Sequence, residues 1–340
     1  MSFLNASKNV TTPSIHVIHE NAEWSAPLFT AFDKIGAKWT DWHMGNFALD
    51  MIQTPPAGVF YNRMSASAHS RGHRYSPEFA GAVIAWLAAH GRPVINGPGA
   101  IALEVNKAAQ LARLERAGVP VPRTIAALGD AKVAEAAMQF APGPVIVKPN
   151  RGGKGLGIQL FENAAEAAER ARSGTLPGST DGITLLQAYV ATVDGSVTRA
   201  EFIGGKLFYA VRIDTGGTFE LCPADVCAPE EAAETGGPLF TVVDDAVEPE
   251  LEAAVEAFLR DAGIDIAGVE FARDVWGNPF VYDVNTNTNY NPDAEAAAGV
   301  SAPRALVDYL IRERNRRLAS PRLVGNGWGL IPDQWATAGD

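Results

Sequence analysis

A short apolar strand that ends in a lysine and runs into a basic, glycine-rich loop constrains this chain more than any other feature. Residues 145–161 read VIVKPNRGGKGLGIQLF. Lys148 comes near the end of the apolar run, so a sheet would hold its ammonium group with little ordering cost. Gly152, Gly153, Gly155 and Gly157 let the backbone approach a ligand closely and aim N–H groups at it. Arg151 and Lys154 add positive charge. The combination suits a phosphate chain, although a flexible surface turn would share the same composition. The spacing is not the GxxxxGK[ST] of a P-loop, and GGKGLG does not open a helix as a dinucleotide fingerprint does.

Residues 267–293, AGVEFARDVWGNPFVYDVNTNTNYNPD, form the second informative stretch. Residues 266–272 and 279–284 are expected to be strands joined by a turn at 276–278. Glu270 and Asp283 each interrupt an apolar strand pattern. Asn285 follows Asp283 by two, which places both on one side of a regular strand. Two carboxylates and an amide oxygen suit Mg2+, a hard cation that takes oxygen ligands and shares them with phosphates. A hairpin with its charges on a wet face is the alternative.

Other polar residues in apolar settings extend this reading. Arg199 (TRAEF) and Arg212 (AVRID) lie on neighbouring expected strands. Either is an ordinary exposed arginine or a clamp on a phosphoryl or carboxylate oxyanion. Lys107 opens the helical stretch 106–117 and, taken alone, reads as a solvated lysine. Gln187 sits inside the apolar run LLQAYV. Either it faces solvent, or it lies with the backbone of Ala188, Tyr189 and Val190 beside a purine ring. His69 and His73 are four apart, but Gly72 argues against the helix that would pair them, so a surface loop is expected.

The bulk numbers set the frame. The chain has 340 residues, 47% of them hydrophobic, which suits two or three domains. Lys and Arg number 28 against 39 Asp and Glu, a net charge of -11 that disfavours nucleic-acid partners. No apolar run is long enough to span a membrane, and the first residues do not read as a secretory signal. Cys222 and Cys227 read as reduced structural thiols, and a cytoplasmic protein is expected by default.

The pattern of elements predicts an α/β protein. Strands at 15–18, 57–61 and 94–95 alternate with helices at 27–35 and 76–90, the signature of an open parallel sheet. Helices follow at 106–117, 132–140 and 163–172, with strands at 144–148 and 184–189. Residues 197–203, 206–212 and 218–221 suggest an antiparallel meander. Helices at 251–262 and 304–317 complete the assignment.

Taken in order, these pieces resemble the ATP-grasp superfamily, especially its RimK-like amino-acid ligases, over approximately residues 57–310. The resemblance begins at GVFYNRMS, where Arg63 closes a strand. It continues through GRPVINGPGAIALEVNKAAQLARLERAGVPVPRT, the glycine-rich segment, LLQAYV, TRAEFIGGKLFYAVR and GVEF…VYDVNTN. It implies an N-terminal open parallel α/β domain (1–100), a central small domain with the glycine-rich loop (101–190) and a C-terminal antiparallel-sheet subdomain holding the metal (191–320). Residues 321–340 are an unassigned tail.

By the same resemblance, Lys107 and Lys148 match phosphate-binding lysines, Gln187 and Val190 match an adenine-side hinge, and Glu270, Asp283 and Asn285 match Mg2+ ligands. Arg199 and Arg212 match positions used around phosphate and substrate. Two departures stand out. The family commonly has aspartate where this chain has Glu270 and glutamate where it has Asp283. After the metal asparagine many members have small residues and Pro-Gly, whereas this chain reads TNTNYNP, so Asn287 and Asn289 become candidates, with Arg63, for substrate recognition.

The implied activity is an ATP- and Mg2+-dependent ligase that joins a carboxylate to the amine of an amino acid or peptide. A small-molecule kinase or a catalytically inactive nucleotide- or partner-binding protein on the same fold is the alternative. Oligomeric state is open, a homodimer being the common case among soluble enzymes.

Overall fold

A computed structural model describes residues 14–153, 155–214 and 240–319. The chain opens with β1 (Ser14–His19), α1 (Ala22–Ile35), β2 (Trp39–His43), β3 (Gly58–Asn62), α2 (Ser76–Ala89) and β4 (Val94–Ile95). The strands form a parallel sheet in the order β2-β1-β3-β4. All six residues of β1 are buried, as expected for a strand covered on both faces. Helix α1 begins five residues before the position expected from Pro27. Asn21 caps it by accepting a hydrogen bond from the Trp24 N–H at 3.1 Å, and Pro27 is carried inside the helix. The aromatic strand β2 has no counterpart in the sequence-based assignment.

Next come α3 (Pro98–Glu104), α4 (Lys107–Arg116), β5 (Thr124–Leu128), α5 (Asp130–Ala137), β6 (Val145–Pro149), β7 (Gln159–Phe161), α6 (Ala164–Arg172) and β8 (Ile183–Ala188). This second sheet is antiparallel, in the order β5-β8-β6-β7. Helix α6 buries Ala164, Ala167, Ala168 and Ala171, one face at helical spacing. Those small side chains let it sit against α5 and the strands in a core with Val145, Val147 and Leu186.

The third unit holds β9 (Ser196–Ile203), β10 (Lys206–Asp214), β11 (Phe240–Val243), α7 (Pro249–Ala262), β12 (Ile266–Arg273) and β13 (Pro279–Asn285), followed by α8 (Pro292–Ala298) and α9 (Ala302–Ala319). Its antiparallel sheet runs β11-β10-β9-β12-β13. The expected strand at 218–221, Cys222, Cys227 and the tail from 321 lie outside the described residues.

Two helices cross between these units. Helix α4 packs Leu111 and Leu114 into the core of the third sheet. Gln110 completes that contact on the edge strand β13: its amide donates to the Val284 carbonyl at 2.7 Å and accepts from the Val284 N–H at 2.8 Å. Helix α9 returns to the first sheet, placing Leu306, Val307 and Leu310 with Ile15, Val17 and Phe32. Among the described residues no helix is long and apolar enough to cross a membrane.

Candidate active site

A single cavity is lined by the glycine-rich segment, β6, β8, β12, β13 and the loop after β3. Along β6, Val145 and Val147 face the helical core, while Ile146 and Lys148 face the cavity. That division is the period-2 alternation of a strand. Lys148 donates to Gln187 Oε1 at 2.9 Å and to the Tyr282 carbonyl at 3.3 Å. Its burial, reinforced by the charge of Lys107 and opposed by Asp283 and Glu270, pulls its pKa down to about 8.

Asn150, just after β6, fixes Lys107 beside it. Its carbonyl accepts from the Lys107 N–H at 3.2 Å and its side-chain oxygen from the Ala108 N–H at 2.8 Å. The start of α4 is thereby stapled to the end of β6, and Lys107 Nζ pairs with Asp283 Oδ1.

The acidic side assembles across the β12–β13 ladder, where Glu270 lies opposite Asp283. The next pair is Phe271 with Val281, so β13 carries one extra residue at this point. That bulge lets the adjacent residues Tyr282 and Asp283 both line the cavity, which regular alternation would forbid. Asn285 donates to Glu270 Oε1 at 3.3 Å. Burial raises the pKa of Glu270, against the pull of the Arg199 guanidinium. Among the described residues no group of three or more His, Cys, Asp or Glu could form a metal cage. A divalent ion here would use the two carboxylates, the Asn285 amide oxygen and oxygens of its ligand. Such an all-oxygen set fits Mg2+.

Arg199 is buried between two carboxylates. It donates to Glu201 Oε1 at 2.7 Å and to Glu270 Oε1 at 3.0 Å, and it pairs with the Thr288 hydroxyl. The Thr288 hydroxyl also lies 2.9 and 2.8 Å from the two Glu201 oxygens. Glu104 reaches the same loop from the side, accepting from the Thr286 N–H at 2.7 Å and from the Ala66 N–H at 3.0 Å. Burial raises its pKa against those bonds.

The expected residues thus fall into groups. Lys107, Lys148, Arg199, Glu270, Asp283, Asn285, Asn287 and Asn289 line the cavity, as do Gly152, Gly153, Gly155, Gln187, Ala188, Tyr189 and Val190. Gln187, however, is occupied: its oxygen receives Lys148 and its nitrogen donates to Thr124 Oγ1 at 2.9 Å. Arg151 turns away to Glu78 of α2, with 3.2 Å between Nη2 and Oε2. Arg212 stands on the surface, 2.7 Å from Asp194. Arg63 lies behind the 287–289 loop, not on the cavity wall. Lys154 falls outside the described residues. His69 lies in a short helical turn, 3.2 Å from the Ala66 carbonyl.

Sequence reading missed Glu104, Glu201 and Thr288. Glu201 was the accessible one of these, since it stands two residues from Arg199 on the same strand and so shares its face.

Comparison with known proteins fits this geometry. No family model matches the chain. It is 30% identical over 189 residues to a D-alanine–D-alanine ligase of Halorhodospira halophila, covering 54% of this chain and 58% of that one, less than two thirds of the relative's length. It is 26% identical over 234 residues to a probable alpha-L-glutamate ligase of Aeromonas salmonicida, covering 66% of this chain and 69% of that one. The structure of the ATP-grasp ligase PsnB complexed with minimal precursor superposes with a TM-score of 0.65 at 19% identity, over 89% of this chain and 99% of that one. Another PsnB complex, containing minimal precursor, Mg and ADP, gives 0.62.

The parallel first sheet, the antiparallel second and third sheets and the cavity among them are the ATP-grasp architecture. In sequence, the chain is similar to alpha-L-glutamate ligases and to a D-alanine–D-alanine ligase.

Proposed function

We propose that this chain is an ATP- and Mg2+-dependent carboxylate–amine ligase that forms an amide or peptide bond through an acyl-phosphate and releases ADP and phosphate. The observation that carries the reading is convergence. Lys107 and Lys148, from a helix start and a strand of one region, share a cavity with Glu270, Asp283 and Asn285 from a hairpin more than a hundred residues further on.

In this reading the two lysines receive phosphate oxygens, and the backbone of 188–190 with the Tyr189 ring borders the adenine. Gln187 serves as the acceptor that holds Lys148 in place. Glu270, Asp283 and Asn285 hold Mg2+, which neutralises polyphosphate charge when bound. A substrate carboxylate oxygen bonds to the γ-phosphorus as the bond to the β-phosphate oxygen breaks, and ADP leaves. Arg199 faces the negative charge that develops. The amine nitrogen then attacks the acyl carbon, the carbon–oxygen bond to phosphate breaks, and the amine loses a proton. The glycine-rich segment excludes water from the intermediate. The same reading divides the chain at about residues 100, 190 and 320 into N-terminal, central and C-terminal units and a tail.

The test is an ADP-release screen over paired carboxylates and amines, with products read by mass spectrometry. Carboxylate oxygen labelled with 18O should appear in the released phosphate. Label retained wholly in the product, or a stable phosphorylated product formed without amine, would contradict the ligase. Asp283→Asn should lower kcat by about 100-fold or more, and full activity in that variant would remove the metal assignment.

A further inference from the structure

Both acids on the metal side of the cavity are paired with cations from its phosphate side. Lys107 Nζ pairs with Asp283 Oδ1, and the two side chains are 10% and 16% exposed. Arg199 Nη1 donates to Glu270 Oε1 at 3.0 Å, with side chains 8% and 15% exposed. Asp283 and Glu270 stand opposite one another across the β12–β13 ladder, so these cations also relieve the repulsion between two carboxylates. Such sheltered pairs add little to stability, because desolvation offsets their attraction.

Each pair can open without moving the frame around it. The Lys107 N–H is held by the Asn150 carbonyl at 3.2 Å, and its four-carbon stem is free to redirect the ammonium group. Arg199 keeps Glu201 through Nε at 2.7 Å and Thr288 through Nη2, so Nη1 is the arm that turns from Glu270. Lys148 differs. It donates to Gln187 and to the Tyr282 carbonyl, and it feels the charge of both acids without bonding to either.

We propose that Lys107 and Arg199 are exchangeable partners of the metal-binding acids, so that the cavity takes a divalent ion and a polyphosphate together and holds each alone weakly. This rests on the nucleotide-site reading above. A divalent ion alone would draw Asp283 and Glu270 from their cations and leave Lys107 and Arg199 sheltered beside another positive charge. A polyphosphate alone would draw the cations and leave two carboxylates facing it. When both enter, every charge finds an opposite within contact. The coupling is reciprocal, as any linkage between two ligands must be.

Mn2+ tests this, since it takes oxygen ligands as Mg2+ does and its free fraction is read by electron paramagnetic resonance. With no nucleotide added, Lys107→Met should bind Mn2+ about fivefold or more tighter than wild type, Lys107→Gln should do the same, and Lys148→Met should stay near wild type. In the other arm, calorimetry with ADP in EDTA should show Asp283→Asn binding metal-free ADP tighter by a similar factor. That gain should vanish in the double variant Lys107→Met/Asp283→Asn. No gain in Mn2+ affinity in either Lys107 variant overturns the proposal. So does an equal gain in Lys148→Met, or an Asp283→Asn gain that survives in the double variant, because each outcome would report the general field and not an exchanged contact. A wild-type chain that fails to bind ADP with Mn2+ present defeats the nucleotide-site reading itself and this inference with it.

Discussion

Arg199 lies across β12 at a point where residue 268 has no side chain. A Cβ on Gly268 would fall 2.7 Å from Arg199 Nε and 2.8 Å from Nη2, closer than real packing allows. Gly268→Ala should therefore displace the guanidinium from Glu201 and Glu270, costing roughly 1–3 kcal/mol in urea unfolding and lowering turnover more than it lowers stability. Normal kcat in that variant would show that Arg199 is not needed where it stands. Lys148 makes a second prediction at this scale. Its pKa of about 8 lies below the ordinary 10.5, so between those values the unfolded chain binds more protons and stability rises with pH. A polyphosphate favours the charged lysine, so ADP binding near pH 9 should take up a proton. Calorimetry in two buffers of different ionisation enthalpy reads this directly, and the uptake should vanish in Lys148→Met. Lys148 itself was visible in the sequence because a charge at the end of an apolar strand needs a reason. Gln187 was visible too, but its partner was not, since Lys148 lies 39 residues away.

Elements are tied together here by side chains that imitate backbone. Asn96, just after β4, has a left-handed backbone with φ 53, a conformation that asparagine tolerates better than most residues. Its amide donates to the Ile266 carbonyl at 2.8 Å and the Thr286 carbonyl at 2.9 Å, and accepts from the Asp265 and Ile266 N–H groups at 2.9 and 3.0 Å. It joins the end of the first sheet to β12 and to the loop after β13. Asn96→Ala would leave buried backbone groups unmatched, and should destabilise by about 3 kcal/mol or more, measured as a fall in the urea midpoint. Neither Asn96 nor Gln110 stood out in the sequence. A polar residue that bonds to distant backbone leaves no periodic trace, whereas β1, α2, α4, β6 and α6 were legible from apolar spacing and caps. Helix α1 was read late because Pro27 resembles a first-turn proline, while Asn21 was the actual cap.

At the scale of the whole molecule, α9 closes the chain on itself, covering the first sheet with Leu306, Val307 and Leu310. Leu310 is fully buried, so Leu310→Ala should cost about 2–5 kcal/mol. Hydrogen exchange should show β1 and β3 losing protection first, and uniform loss across all three sheets would contradict a local role for α9. The alternation of apolar strands and helices, the glycine-rich segment and the acids of the last hairpin were all determined by the sequence, because local spacing decides which face of a strand or helix is apolar. Which charges meet was not. Arg151 found Glu78, Arg212 found Asp194, and Arg63 found carbonyl and amide oxygens behind the cavity. A side chain's partner depends on how separate sheets pack. Only the tertiary arrangement therefore separated the cations facing the cavity from those engaged elsewhere.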